Sequence, residues 1–387
     1  MRFTPSIFGQ LIESLDRRQF QATVDRHDGD AYDKCFKSWD HLVALIYAQF
    51  GAAGSLRALE ASWNANAHHH YHLGCGRLQR STLSDANKRR PAGVFAETFA
   101  LLTGQLGRKM RREGTAMLRL IDSTPIPLGK LCDWAKSNGR IRGMKLHIVY
   151  DPNADCPRVL DITDANVNDA QIGRTIAIEA GATYVFDKGY CHYGWWTAIA
   201  KAAAIFVTRP KTSMVLAVGA TRTLEAPKGD GFLILEDCEV SLASKGDCKL
   251  PVPLRRLVLK RDQGDTITLL TNDLDRSAVE IGQLYKDRWQ IELLFRWIKQ
   301  HLKIRRFLGY NDNAIRLQIF AAMIAYALLR IATRANAITI PILRFTDLVI
   351  QCLFQRKSIA AIDKPPPVNP SRPKPKISPD QMAFSYA

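Results

Sequence analysis

Three carboxylates are set where acid side chains could hold a cation: Asp122 in LIDSTPIPL, Asp187 in VFDKGY, and Glu292 in LYKDRWQIELLFRWIKQHLKI, residues 284–304. Glu292 is the only glutamate of that last stretch, which is rich in basic, aromatic and aliphatic residues. On a helix turning about 100° per residue, Tyr285, Arg288, Glu292 and Lys299 fall within about 60° of one another. Leu284, Ile291, Leu294, Phe295, Ile298 and Leu302 gather on the adjoining face, which suits packing against a sheet. Converging carboxylates repel one another until a cation neutralises them, and an oxygen-only donor set with open positions suits Mg²⁺ or Mn²⁺. Each residue alone has a plainer reading. An aspartate at a strand end is commonly a turn former, and Arg288 with Glu292 is an ordinary i, i+4 ion pair. The joint pattern is what points to a metal centre.

Those side chains need a scaffold, and the chain reads as a mixed α/β one. Residues 117–122, 142–151 and 156–164 are strand-like. A helix is expected over 168–182 with Asn168 as its cap, then a buried strand at 183–187, a helix at 193–204 and a strand at 205–208. Strands with helical crossovers would bring Asp122 and Asp187 to one sheet edge, with Glu292 arriving on the helix from Leu284. The expected organisation is a helical N-terminal domain over 1–110, a first core segment over 111–208 and a β-rich insertion over 209–275. A second core segment with the catalytic helix follows over 276–335, then a C-terminal helix and a Pro/Lys-rich tail over 336–387. In the N-terminal part, Ser55 is the expected cap of one helix. Ser81 or Ser84 is the expected cap of a short basic one carrying Lys88, Arg89 and Arg90 and ended by Pro91.

Composition narrows the partner. Lys+Arg 54 against Asp+Glu 37 gives a formal charge of +17, which concentrates polyanions at the surface. Nucleic acid is the first partner to expect, an anionic membrane the rival. The most apolar run, Ile319–Leu329, is too short to span a bilayer and reads as a core helix. The N-terminus has no signal-peptide pattern, and the eight cysteines show no CxxC spacing, so a reduced, cytoplasmic protein is expected.

At Asp122, Asp187 and the spacing Tyr285-x2-Arg288-x3-Glu292-x6-Lys299, the sequence resembles the insertion-sequence-four family of DDE transposases. The resemblance covers residues 110–305, a β-rich insertion between the second Asp and the Glu included. It implies a ribonuclease H-like core and an Asp–Asp–Glu site in which Asp122, Asp187 and Glu292 are the catalytic metal ligands for two Mg²⁺ ions, with Mn²⁺ able to substitute. Cleavage would be an in-line displacement that frees a 3′-OH, which then attacks the opposite strand, through a hairpin in better-known members, or target DNA. It further implies a homodimer pairing the terminal inverted repeats of a bacterial element, located in the cytoplasm with the nucleoid. Arg288 and Lys299 would hold phosphates, the first by its planar fork and the second as a point charge. Tyr285 would contact a phosphate or stack on a distorted base, and Lys88, Arg89 and Arg90 would bind DNA from the helical domain.

One departure stands out. Related transposases hold a flipped nucleotide with a tryptophan of the insertion, and residues 209–275 contain no Trp; either a smaller aromatic such as Phe232 substitutes, since any aromatic face can stack on a base, or the flipping step is built differently. Among other signals, HHHYH (68–72) reads as a loop rather than a zinc site, and Trp195 and Trp196 read as core. Lys145, His147 and Asn272 lie near the expected site, with simple alternation or a turn as the plainer account. Two rivals remain: a ribonuclease H-like nuclease without strand transfer, and a non-catalytic DNA-binding regulator. The second would have no need to keep all three carboxylates.

Overall fold

A computed structural model of the chain describes residues 4–31, 33–51, 54–112, 117–222, 228–242, 252–262, 264–301 and 307–364. The N-terminal part is helical: α1 (Ile7–Ile12), α2 (Arg17–Arg26), α3 (Ser38–Phe50), α4 (Leu56–Ala65), α5 (His70–Leu73), α6 (Arg80–Arg89) and α7 (Ala92–Arg112). Ser55 caps α4 by accepting from the Ala58 N–H at 3.2 Å, as expected. Helix α6 has no side-chain cap at all; Ser81 and Ser84, the expected candidates, lie inside it. Its Arg80 N–H donates instead to Glu60 of α4 at 3.0 Å, a tertiary partner in place of a local one. The helix stops before Pro91, with Arg90 in the extended conformation that a following proline imposes.

Strands follow: β1 (Leu118–Pro127), β2 (Gly143–Asp151), β3 (Cys156–Asp164), then α8 (Asp169–Gly173), β4 (Thr183–Phe186), α9 (Tyr193–Lys201) and β5 (Ile205–Thr208). Next come β6 (Leu216–Thr221), β7 (Lys228–Gly229), β8 (Phe232–Leu242), β9 (Leu254–Arg261) and β10 (Thr266–Thr271). Helices α10 (Ala278–Asp287), α11 (Trp289–His301), α12 (Asp312–Ala335) and α13 (Ile342–Cys352) complete the described chain. The sheet order is β3-β2-β1-β4-β5-β10-β9-β8-β6, with β7 on β8. Strands β1, β4 and β5 are parallel, while β2 runs antiparallel to β1 and β3 antiparallel to β2. That is a ribonuclease H-like core. The β-rich stretch after β5 continues the same sheet: β10 pairs with β5, Leu270 opposite Thr208 and Thr271 opposite Val207.

Two expectations need correction. Of the helix expected over 168–182, only Asp169–Gly173 forms, capped by Asn168, whose side chain accepts from the Ala170 N–H at 2.9 Å. Beyond it stand Thr175, Ile176 and Ile178, β-branched residues that lose side-chain freedom in a helix, and Gly181 at φ +72°. The stretch from Leu284 is likewise not one helix. Arg288 is a joint between α10 and α11, and its N–H donates to the Tyr285 carbonyl at 3.3 Å, a tightened i−3 bond.

Helix α12 is apolar on nearly all sides and buried along most of Ala314–Leu329. Among the described residues it is the one helix long and apolar enough to cross a membrane, and 83% of its most apolar window is buried within the protein. It packs against α3, α6 and α7 and against β3 of the sheet. Asn313 donates to the Arg90 carbonyl at the end of α6 at 2.8 Å, and Arg316 to the Ile162 carbonyl of β3 at 2.9 Å. The Pro/Lys-rich tail lies outside the described residues.

Candidate active site

Register brings the first two carboxylates together. Parallel pairing of β1 with β4 runs from Leu118↔Thr183 to Ile121↔Phe186 and stops. Asp122 and Asp187 are the next residue on each chain. Strand β1 itself continues to Pro127 in a hairpin with β2, so Asp122 lies within β1; only its pairing with β4 ends there. Successive side chains point to opposite faces of a sheet. Ile121 and Phe186 enter the core on one face with Tyr184, Trp195, Trp196 and Phe206. Leu120 and Val185, and with them Asp122 and Asp187, belong to the other face, whose core includes Ile281, Ile291, Leu294, Phe295 and Ile298 of α10 and α11.

Those two helices deliver the remaining groups. A capping box fixes the start of α10: the Ser277 side chain accepts from the Glu280 N–H at 3.2 Å and the Glu280 carboxylate from the Ser277 N–H at 2.8 Å. From the joint, Arg288 Nη1 donates to Asp122 Oδ2 at 2.7 Å and Nη2 to Glu292 Oε1 at 3.0 Å. The Tyr285 hydroxyl stands 3.5 Å from Asp187 Oδ1, and the Ser123 N–H donates to Asp122 Oδ1 at 2.8 Å. The guanidinium also lies 5.6 Å from the centre of the Tyr285 ring. Its Nε is buried with no hydrogen-bond partner. Asp122, Asp187, Glu292, Tyr285 and Arg288 thus form one cluster, while Lys299 is exposed on α11, two turns beyond Glu292.

The electrostatics fit divalent cations. Burial pushes the Asp122 carboxyl up to about 6; Arg288 and the Ser123 N–H oppose the rise, and the charges of Asp187 and Glu292 add to it. Among the described residues no three acidic, His or Cys side chains form a chelating set, and Arg288 stands between Asp122 and Glu292. All the donors are oxygens, and among the described residues the positive charge bonded to Asp122 and Glu292 is that of Arg288, a side chain with an unsatisfied buried nitrogen. A divalent ion held here would compete with protons for Asp122. Because its folded-state pKa is raised, the protonated form dominates below about 6. Mn²⁺ affinity of the free protein should therefore fall as pH drops through about 6, by up to about tenfold per pH unit. Calorimetric titration at about pH 5 and about pH 7.5 checks this; equal affinities would overturn it.

Other expected residues fare unevenly. Lys88 and Arg89 are exposed on α6. Arg90 is not available to DNA, contrary to expectation: it is 3% exposed, and its guanidinium donates to Asp33 at 2.9 Å and to the Phe36 and Lys37 carbonyls. His70 is buried and stacked on Trp63 at 4.4 Å, and His69 on Phe354 at 4.7 Å, so the histidine run includes packing residues. Asn272 splices β10 to β5, accepting from the Phe206 N–H at 2.8 Å and donating to the Ala204 carbonyl at 3.0 Å. Trp195 and Trp196 are core, as expected.

Phe232 is 4% exposed and pressed on Gly229 and Gly282, where any Cβ would come within 2.6 Å of its ring. It lines a cavity of about 550 Å³ next to the carboxylates, with Leu259, Arg261, Tyr285, Arg288 and Trp289. Trp289, 53% exposed, was not singled out from sequence. A signal existed, since Trp289 falls about 40° from Tyr285 on the helical wheel, beside the polar stripe.

Comparison with known proteins identifies the family. The family model described as "Transposase DDE domain" matches residues 113–328, and a domain of unknown function matches residues 4–76. Transposase y4zB of Sinorhizobium fredii is 75% identical over 304 residues, covering 79% of this chain and 85% of its own. A transposase of insertion sequence element IS5377 from Geobacillus stearothermophilus is 30% identical over 260 residues, 66% of this chain and 68% of its own. Among solved structures, a piggyBac transposase synaptic complex with hairpin DNA aligns at TM-score 0.44 and 8% identity, over 95% of this chain and 86% of that one.

Proposed function

Since the chain belongs to the transposase DDE domain family, we propose that it binds the terminal inverted repeats of its insertion sequence, cleaves the ends and joins the freed 3′-OH ends to target DNA. The observation that carries this reading is the meeting of Asp122, Asp187 and Glu292 around Arg288 and Tyr285 on one face of the sheet. Asp122, Asp187 and Glu292 hold Mg²⁺ or Mn²⁺. Bound there, divalent ions supply a nucleophile at neutral pH and charge stabilisation for in-line displacement at phosphorus. The chain's own groups do the rest. Arg288 carries a planar fork that can grip a phosphate, and Lys299 adds a point charge further along the strand. Tyr285 orders Asp187 and faces the same phosphate track. Trp289, at the lip of the cavity lined by Phe232, offers an exposed ring on which an unstacked base can lie, which supports a hairpin route despite the tryptophan-free insertion. Two copies act together, one per end, in the bacterial cytoplasm.

The test uses the purified chain, Mg²⁺ and duplexes carrying the two ends that flank its gene. Divalent-dependent 3′-OH formation at those ends, followed by joining, is expected. Cleavage indifferent to the end sequence and never followed by joining would favour the simple nuclease. Binding should also weaken steeply with salt, because each neutralised phosphate releases counterions; a flat salt response would count against a basic track.

A further inference from the structure

The backbone ladder between β1 and β4 ends at Ile121↔Phe186, one residue short of both aspartates. No strand pairing sets the distance from Asp122 to Asp187, yet a shared metal site tolerates little error in it. The Tyr190 hydroxyl bonds the Ser123 side chain, and a side chain from outside both strands also touches the chain just after each aspartate. Asp169, at the start of α8, accepts from the Ser123 hydroxyl at 3.1 Å, and Ser123 directly follows Asp122. On its other side it abuts Gly189, two residues after Asp187, so closely that a Cβ there would lie 3.0 Å from Asp169 Oδ2.

The surroundings hold Asp169 in place. Lys145 Nζ donates to Asp169 Oδ1 at 3.0 Å and to the Val167 carbonyl at 2.8 Å. His147 Nδ1 lies 3.6 Å from the same carboxylate oxygen and 3.1 Å from the hydroxyl of buried Tyr190, which closes the turn after Asp187; its Nε2 is 3.0 Å from Thr163. Helix α8 can seat this close because Gly173 faces the rings of Tyr190 and Trp195, where a Cβ would stand at 3.2 and 3.3 Å. Lys145 and His147, which alternation along β2 places near the site, are thereby bound to the protein and not aimed at a ligand.

We propose that Asp169 is a positioning residue: through Ser123 on one side and the Gly189–Tyr190 turn on the other, it fixes the spacing of Asp122 and Asp187 and so sets the affinity of the site for divalent ions. The proposal rests on the reading that these aspartates bind metal. The test is Mn²⁺ binding to the full chain, followed by calorimetry, with near-ultraviolet circular dichroism as the check on folding. Asp169→Asn should weaken binding about 10–100-fold, the usual effect of losing an outer partner of a metal site. Ser123→Ala, which breaks one link and keeps the Lys145–Asp169 pair, should weaken it severalfold, and cleavage should recover at high Mn²⁺. Folded Asp169→Asn or Ser123→Ala protein that binds Mn²⁺ within about twofold of wild type would overturn the proposal; if Asp169→Asn does not fold, Ser123→Ala decides alone. Asp122→Asn serves as the control. If it binds as well as wild type, or wild type binds no Mn²⁺, the metal reading itself has failed and the proposal falls with it.

Discussion

Asp122→Asn, Asp187→Asn and Glu292→Gln each reduce 3′-OH formation at the element's ends by on the order of 10³-fold or more, about 4 kcal/mol of transition-state stabilisation. On the proposed function the loss is this large because each change removes a ligand charge from a site that would act by holding cations against phosphate. The three substitutions conserve shape, so end binding persists and the fold stays intact. Gel-shift and strand-cleavage assays on the same preparations separate the two quantities. Because the three side chains act as one unit, the double substitution Asp122→Asn with Glu292→Gln should cost little more than either alone. A single variant retaining even a tenth of wild-type cleavage would remove that carboxylate from the mechanism.

Arg90→Ala produces the largest loss of stability expected from the basic run Lys88, Arg89 and Arg90, about 3–5 kcal/mol. The guanidinium is buried, lies 5.0 Å from the Phe36 ring centre and satisfies Asp33 and two carbonyls, so truncation leaves the partly buried Asp33 with the exposed Arg89 at 3.7 Å and opens a void. Burial, with the nearby Arg90 charge second, also pushes His41 down to about 3, so that histidine stays neutral and cannot replace the lost cation. Urea unfolding reports the effect as a lowered midpoint. Lys88→Ala with Arg89→Ala gives the opposite profile: stability changes within about 0.5 kcal/mol, with weaker DNA binding and a shallower salt slope. If Arg90→Ala unfolds at the wild-type midpoint while losing DNA, the assignment of Arg90 to the core is wrong.

That contrast shows where sequence reasoning reached and where it stopped. Asp122, Asp187 and Glu292 were legible because their residue types and the Tyr285–Lys299 spacing are local properties. The strands were legible because β-branched runs bounded by turn formers mark them. Lys88, Arg89 and Arg90 look alike in the chain; only Asp33, which lies 57 positions earlier, makes the third a core residue. The break at Arg288 has no proline or glycine to announce it, and it is the break that lets one guanidinium reach both Asp122 and Glu292. Asn168 was correctly read as a cap, but the helix behind it was overextended, since a good start says nothing about where β-branched residues will end it. Asp169 gave no signal, because its significance depends on the register at which β1 and β4 part.

Helix α12 is sealed at one end to the carbonyl that closes α6 and, a turn later, to a carbonyl of β3. The helical half and the catalytic sheet therefore cannot slide past one another without tearing a shared interior. DNA gripped by the exposed face of α6 would be held at a set number of base pairs from the carboxylates, as if against a ruler. Inserting a few base pairs between the recognised repeat and the cut should then silence the end outright, with no migration of the break to a new position.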